Sequence, residues 1–259
     1  MIDLNSNNIY QTFAPLHFVL KIFGLAAYQL DLNKSRAIKI SKNRIYIFIC
    51  CLFYIGLLIF NLYWGEQEPD AEVSLLIRHG WHKLRLIQIM CMTIITIINY
   101  KNQDITIKCL ELINTFDKMK TFSINHSSNH SKHRKICMFV IVGYVIYWSI
   151  ICPTTVLLYN TDELDYIHFI SFASYILCSQ MAAIIGYQFI FFTGCLKNRF
   201  EVLLKNIEEN FCFVSRKEML LNTELLEIIH FINNIYDCHT TLTKILKNIN
   251  SLYSFQVSY

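Results

Sequence analysis

Long apolar runs alternate with polar segments along the whole chain. Runs with at most one charged residue occupy positions 45–64, 84–100, 136–159 and 167–195. About 20 apolar residues are needed for an α-helix to cross the hydrocarbon core of a bilayer, and three of the runs reach that length. The run 84–100 crosses only if Lys83, Arg85 and Lys101 extend their charged ends to the interface. The pattern predicts an all-α fold, a polytopic membrane bundle of four transmembrane helices.

The polar segments complete the predicted domain organisation. Residues 1–44 form an N-terminal segment in which 13–30 are predicted to be a short cytoplasmic or interfacial helix. Residues 196–259 are predicted to form cytoplasmic amphipathic helices that lead to the start of a fifth span, packed on each other or on neighbouring subunits. The apolar stripe that predicts the second of these helices consists of Leu221, Leu225, Ile228, Ile232, Ile235, Leu242 and Leu246.

The distribution of Lys and Arg predicts the orientation, because basic residues are retained on the cytoplasmic side during insertion. Residues 1–44 contain six basic residues, and segments 101–135 and 196–259 contain seven each. The segment 65–85 contains three basic and four acidic residues. The segment 160–166 contains three acidic residues and no basic residue. Both termini are therefore predicted to be cytoplasmic. The same count favours four spans over three, since omitting 84–100 would join an acidic and a basic loop on one side.

Composition supports a membrane protein and excludes several other classes. Charged residues make up 16% of the 259-residue chain and apolar or aromatic residues 54%, whereas a soluble domain has about 25% charged residues. The net charge of +4 does not favour nucleic-acid binding. No nucleotide-binding, zinc-protease or hydrolase motif is present, so no enzyme, cofactor or metal is predicted. Most of the ten cysteines lie in apolar runs and are interpreted as small apolar side chains.

Uncharged polar residues near the predicted outer ends of the spans are the candidate ligand-binding residues. In the fourth span, His168, Ser171 and Tyr175 recur at spacings of three and four, which places them on one helix face. In the third span, Trp148 and Thr155 share a face beside a proline. These five residues could line an external pocket for a small molecule. The alternative is that such residues only join helices or anchor them at the interface.

Two segments resemble the insect gustatory receptor family. The N-terminal residues are Pro15-Leu16 and Lys21-Ile22-Phe23-Gly24-Leu25, before the first span. The C-terminal residues are Ile235-Tyr236-Asp237, Leu242, Ile245-Leu246, Ile249-Asn250 and Tyr253-Ser254-Phe255-Gln256, which are similar to the helix entering the fifth span of that family. The resemblance implies a seven-span fold with a cytoplasmic N-terminus, of which this sequence covers the N-terminal portion.

The resemblance also implies a function, which we state as an expectation. Such receptors are ligand-gated cation channels of the plasma membrane, assembled as homo- or hetero-oligomers with other gustatory receptors, and a small soluble tastant is the ligand. Their last span lines the pore. Because this sequence ends before that span, the chain is expected not to conduct alone. The alternatives are a complete four-span membrane scaffold or regulatory subunit, and a fragment of an odorant receptor.

Overall fold

The computed structural model describes residues 8–39, 41–64, 75–119, 134–144, 146–147, 150, 154, 166–215 and 222–257. Helices dominate this part of the chain, together with one two-stranded antiparallel sheet. The elements are α1 (Ile9–Ile22), β1 (Tyr28–Asp31), β2 (Arg36–Lys39), α2 (Ser41–Trp64), α3 (Leu75–Lys118), α4 (134–144), α5 (Tyr166–Ser215) and α6 (Asn222–Val257). The chain separates into two compact units, a first unit of residues 10–103 and 132–187 and a second unit of residues 1–9, 104–131 and 188–259.

Helix α2 contains the predicted run 45–64 and begins four residues earlier, at Ser41. Its side chains are largely uncovered by the rest of the chain. Exposed residues include Ile45, Phe48, Ile49, Leu52, Phe53, Ile59 and Leu62. Only 17% of the segment Asn43–Tyr63 is buried, so α2 is not the core helix of a water-soluble protein. An apolar helix exposed in this way is suited to contact lipid.

Two of the described helices are long and apolar enough to cross a membrane, Asn43–Tyr63 in α2 and Ile176–Glu209 in α5. Helix α3 contains the predicted run 84–100 but is much longer, at 44 residues. Its burial has a helical period within that run. The exposed side chains are Ile87, Met90, Ile94 and Ile97, and the buried ones are Ile89, Met92, Thr96 and Asn99. The exposed face of α3 is therefore the more apolar of the two, as in a helix that faces lipid.

The segment before α2 is a compact arrangement of α1 and a β-hairpin. Phe13 and Leu20 on α1 are almost completely buried, and His17 lies between them on the same face. Asn43, at the start of α2, donates a hydrogen bond from its side chain to the Ala27 carbonyl oxygen at 3.1 Å. Helix α1 ends at Ile22 rather than continuing to Leu30 as predicted, and the residues that follow turn back into the hairpin.

The turn after α1 depends on Gly24, which has a positive φ of 71°. The turn is held by the Leu25 N–H, which donates to the Leu20 carbonyl oxygen at 2.8 Å. The backbone at Gly24 also passes close to α2, because a Cβ at this position would lie 2.9 Å from the Cys50 Cβ. Only glycine fits both the left-handed conformation and this close approach.

In the second unit, α6 buries a stripe with alternating spacings of four and three residues. The stripe consists of Cys238, Leu242, Ile245, Ile249 and Leu252. It agrees with the predicted amphipathic stripe at Leu242 but not at Ile232 and Leu246, which are exposed. The two stripes differ because the sequence offers apolar residues on more than one face of α6, and packing against its neighbours selects the face. Leu221 lies outside the described residues.

Candidate ligand-binding region

The predicted ligand-binding residues are only partly within the described chain. His168, Ser171 and Tyr175 all lie in α5, where the helical backbone places them on one face, as the spacing predicts. Their side chains lie outside the described part of the structure. Trp148 and Thr155 also lie outside the described residues, so whether the third span contributes to the same pocket stays a prediction.

Ser174, which precedes Tyr175 in the sequence, links α5 to α2. Ser174 is completely buried, as is Asn61 near the end of α2. The Asn61 side-chain amide donates to the Ser174 hydroxyl oxygen at 3.3 Å and to the Leu57 carbonyl oxygen at 2.8 Å. Ser174 in turn donates to the Ile170 carbonyl oxygen at 2.8 Å. A polar connection between two helices is thus present next to the predicted face.

A second contact joins α5 to α3 one helical turn further along. The Cys178 thiol lies 2.8 Å from the thioether sulfur of Met92, and both side chains are buried. Gln180, two residues on, is also buried. Helix α5 therefore contacts α2 through Ser174 and α3 through Cys178, and successive turns of the helix face different neighbours within the first unit.

The chemistry of this region is polar but uncharged. Its donors and acceptors are amides, hydroxyls and sulfur. The Leu57 carbonyl oxygen also takes part, because it accepts a hydrogen bond from the Asn61 side chain. Such groups fix the orientation of a small neutral molecule by hydrogen bonds, while the surrounding apolar side chains exclude water. Buried polar groups are costly unless they are hydrogen-bonded, which explains why Asn61 and Ser174 pair.

Asn61 and Ser174 were not among the candidate residues from sequence. Both carried a weak signal. Asn61 is the only amide side chain in the run 45–64. Ser174 lies three residues after Ser171, which makes the two residues neighbours on the surface of the helix. What the sequence does not contain is the pairing itself, since 113 positions separate the two residues.

Among the described residues, no group of three or more His, Cys, Asp or Glu side chains comes together. There is also no disulfide among the cysteines whose side chains are described, which are Cys50, Cys51, Cys91, Cys109, Cys137, Cys178, Cys195 and Cys238. Cys109, outside the predicted spans, is completely buried, and desolvation raises the pKa of its thiol to about 12. That thiol stays protonated and unreactive.

These observations define a class of protein. The first unit has apolar side chains on its exterior and hydrogen-bonded polar side chains in its interior, the arrangement of a helical membrane protein whose helices are joined by polar contacts. A model of the 7tm Chemosensory receptor family matches residues 13–259, nearly the whole chain. The chain belongs to that family. No curated protein and no solved structure matches it.

Family membership confirms the resemblance to chemosensory receptors of the gustatory type and decides several of the predictions. The chain is a membrane protein of a chemoreceptor family, and the ligands of such receptors are small molecules. Membership also favours a receptor over the four-span scaffold.

Proposed function

We propose that the protein is a gustatory chemoreceptor of the plasma membrane that binds a small soluble tastant within its first unit. The observation that carries this proposal is the match to the chemosensory receptor family over residues 13–259, combined with the resemblance to gustatory receptors at both ends of the chain. We include in it the assembly with copies of itself or with other gustatory receptors, and the opening of a cation pathway on ligand binding.

We place the ligand between α2 and α5, at the face of His168, Ser171 and Tyr175 and beside the Asn61–Ser174 hydrogen bond. The uncharged character of this region favours a neutral ligand with hydroxyl or amide groups over an ion. Trp148 and Thr155 would contribute from the third span. The binding energy would come from exchanging the Asn61–Ser174 hydrogen bond for bonds to the ligand, together with burial of its apolar surface.

The proposed topology has four spans, at residues 45–64, 84–100, 136–159 and 167–195, with the N-terminus in the cytoplasm. The apolar exposed faces of α2 and α3 support the first two of these spans. The concentration of basic residues before α2, in 101–135 and after residue 195 supports the orientation.

Ligand binding is tested by thermal unfolding of the purified chain in lipid nanodiscs, with a panel of sugars, bitter compounds and amino acids and a second panel of volatile odorants. A tastant that binds only the folded chain raises the unfolding temperature as its concentration increases. At one hundred times its dissociation constant it adds about 2.7 kcal/mol to the free energy of unfolding. An effect of odorants without any effect of tastants would assign the chain to odour detection and overturn the gustatory proposal.

The binding site is tested with matched variants on α5. Tyr175→Phe and Ser171→Ala are expected to reduce the ligand-induced rise in unfolding temperature, because each removes a hydroxyl from the proposed face. Tyr187→Phe makes the same chemical change as Tyr175→Phe at an exposed position of the same helix and is expected to leave the rise unchanged. Equal effects of Tyr175→Phe and Tyr187→Phe would show that the ligand does not bind at this face.

Conduction is tested in oocytes that express the chain alone and, separately, together with other gustatory receptors. A tastant that binds is expected to evoke a cation current, within the time needed to exchange the solution, in the co-expressing oocytes and not in those with the chain alone. A response that required a G protein and persisted without cation influx would contradict the channel part of the proposal.

A further inference from the structure

The segment from the end of α1 to the first turn of α2 carries an exposed basic surface outside the proposed ligand site. Residues 21–44 contain six Lys or Arg and one acidic residue, Asp31, so this segment has a net charge of +5. The exposed basic side chains, which we call the basic hairpin surface, are Lys34, Arg36, Lys39 and Arg44. Asp31 offsets one charge at most, because it accepts the Lys34 backbone N–H at 3.1 Å and lies 3.7 Å from Arg36.

This surface directly adjoins the lipid-facing part of α2. Strand β2 ends at Lys39, α2 begins at Ser41, and the exposed apolar side chains of α2 begin at Ile45, which is 65% exposed. Arg44 is therefore next to the first apolar residue of that exposed face. The transition from exposed cations to exposed apolar side chains takes place within a single turn of helix.

The C-terminal end of α1 is held beside the first turns of α2. The Tyr46 hydroxyl donates to the Ile22 carbonyl oxygen at 2.7 Å, which holds Ile22 beside the first turns of α2. Ile22 and Phe18 lie one helical turn apart on α1, and their side chains are 54% and 65% exposed. Two large apolar side chains therefore stand uncovered near the basic hairpin surface, beside a helix whose own exposed face is apolar.

We propose that the basic hairpin surface binds the headgroups of anionic phospholipids in the leaflet at which α2 begins, with Phe18 and Ile22 at the boundary to the acyl chains. Basic residues close to a membrane surface are attracted to anionic headgroups, and adjacent apolar side chains add binding through burial. The partner is a phospholipid of the bilayer, such as phosphatidylserine.

The geometry favours a lipid surface over a soluble phosphate compound. Arg36 and Lys39 are three residues apart in β2, so their side chains project from opposite faces of the strand. Lys34 lies in the turn between the strands, and Arg44 lies in α2. Cations distributed in this way attract an extended charged surface, whereas a pocket for one phosphate requires donors that converge.

This inference needs the membrane location of the chain but not its ligand. It is consistent with the proposed topology, because anionic lipids are concentrated in the cytoplasmic leaflet. A failure of tastant binding would leave it untouched, and its own failure would leave the tastant proposal untouched.

The experiment measures lipid selectivity of the whole chain in bilayers of phosphatidylcholine with a trace of spin-labelled lipid. Electron paramagnetic resonance gives the fraction of labelled phosphatidylserine and of labelled phosphatidylcholine that the protein immobilises. We expect the wild-type chain to immobilise phosphatidylserine preferentially, and the variant Lys34→Gln/Arg36→Gln/Lys39→Gln/Arg44→Gln to lose that selectivity about five-fold or more.

The matched control removes the same number of charges from exposed lysines of the second unit. It is the variant Lys197→Gln/Lys205→Gln/Lys244→Gln/Lys247→Gln, which we expect to retain the wild-type selectivity. Equal loss of selectivity in both variants would indicate an effect of total charge and would overturn the proposal. Equal immobilisation of the two lipids by the wild-type chain would overturn it as well.

Two further measurements keep the test decisive if the fourfold variant does not fold. Increasing salt is expected to reduce the selectivity of the wild-type chain, because exposed charges are screened. The variant Lys34→Gln/Lys39→Gln keeps Arg36 beside Asp31 and is expected to lose part of the selectivity with unchanged helix content by circular dichroism. Selectivity that is insensitive to both changes, or that is abolished by free phosphoserine at low concentration, would contradict a lipid-binding surface.

Discussion

At the scale of single residues, the most consequential contact in the second unit is the ion pair of Arg199 and Asp117. The Arg199 guanidinium donates from Nε to Asp117 Oδ1 at 2.9 Å and from Nη2 to Oδ2 at 2.6 Å, and its Nη1 donates to the Cys195 carbonyl oxygen at 2.7 Å. The side chains are 3% and 10% exposed. All three bonds satisfy a charge that would otherwise be buried alone, and they fix α3 against α5.

Removing one member of this pair is expected to be far more harmful than removing both. Asp117→Leu leaves the Arg199 charge buried without its partner, at a cost of about 3 to 5 kcal/mol, while Asp117→Leu/Arg199→Met removes both charges and is expected to recover much of that loss. Chemical or thermal unfolding in detergent measures the difference. Lys205→Ala, which breaks an exposed pair with Glu209, is the control and is expected to change stability by less than about 1 kcal/mol.

His17 is a residue whose protonation state depends on the fold. Its Nε2–H donates to the Tyr28 carbonyl oxygen at 3.0 Å, and its ring centroid lies 4.9 Å from that of Tyr28. Desolvation by burial lowers the pKa of His17 to about 4, and the positive charge of Lys21 acts in the same direction. The neutral imidazole therefore joins α1 to the hairpin at physiological pH.

The lowered pKa of His17 predicts that the stability of the fold decreases as the pH is lowered. Between about pH 6.5 and pH 4 the unfolded chain binds a proton that the folded chain does not, so up to ~3 kcal/mol of stability is lost over this window and none above it. His17→Gln keeps a donor for Tyr28 without a titrating ring and is expected to flatten the profile of unfolding temperature against pH. His230→Gln, at an exposed position, should leave the profile unchanged; if both variants behave alike, His17 is not the responsible group.

At the scale of elements, the turn between α1 and the hairpin depends on one glycine. Gly24→Ala introduces a Cβ 2.9 Å from the Cys50 Cβ and forces an alanine into a left-handed conformation, which by itself costs about 1 to 2 kcal/mol. We expect a clear decrease in unfolding temperature. The matched control is Gly56→Ala, inside α2, where the added methyl meets nothing within 4 Å. There alanine is expected to be neutral or stabilising by up to about 1 kcal/mol, because it favours helix.

Elements differ in how far their sequence predicts them. Helix α2 follows from its composition alone, because a run of 20 uncharged and mostly apolar residues satisfies its backbone hydrogen bonds in a bilayer by forming a helix. The hairpin does not follow, since β1 and β2 contain four residues each. Their conformation depends on contacts from outside the strands, from His17 to Tyr28 and from Asn43 to Ala27. The hydrophobic periodicity and the strand propensity of a short stretch of sequence contain no information about such contacts.

The candidate site shows the same limit at the level of helices. The spacing of Ser171 and Tyr175 predicts a common face, because a helix fixes that relation locally, and α5 has it. Which helix this face meets is a tertiary property. The Asn61–Ser174 and Met92–Cys178 contacts each join residues more than 80 positions apart, and no local pattern indicates either pair.

At the scale of the whole molecule, the distribution of charge makes a prediction about topology that is independent of function. The sequons at Asn125 and Asn129 lie in a basic segment that the charge distribution assigns to the cytoplasm, where oligosaccharides are not added. We expect neither to be glycosylated when the chain is translated with microsomes. The measurement is the electrophoretic shift removed by endoglycosidase, with a sequon engineered into residues 65–74 as the positive control. Modification at Asn125 or Asn129 would invert the topology.

The apolar exterior of the first unit also has a consequence for membrane insertion in the cell. A surface formed by side chains such as Phe48, Ile49, Phe53 and Ile94 promotes aggregation in water, so the chain is expected to enter the bilayer before that surface is left in contact with water. A mutation that interferes with that entry would produce neither a misplaced receptor nor a soluble one. It would produce aggregates that chaperones and proteases remove, and such a defect would be recognised by the missing protein rather than by an altered response.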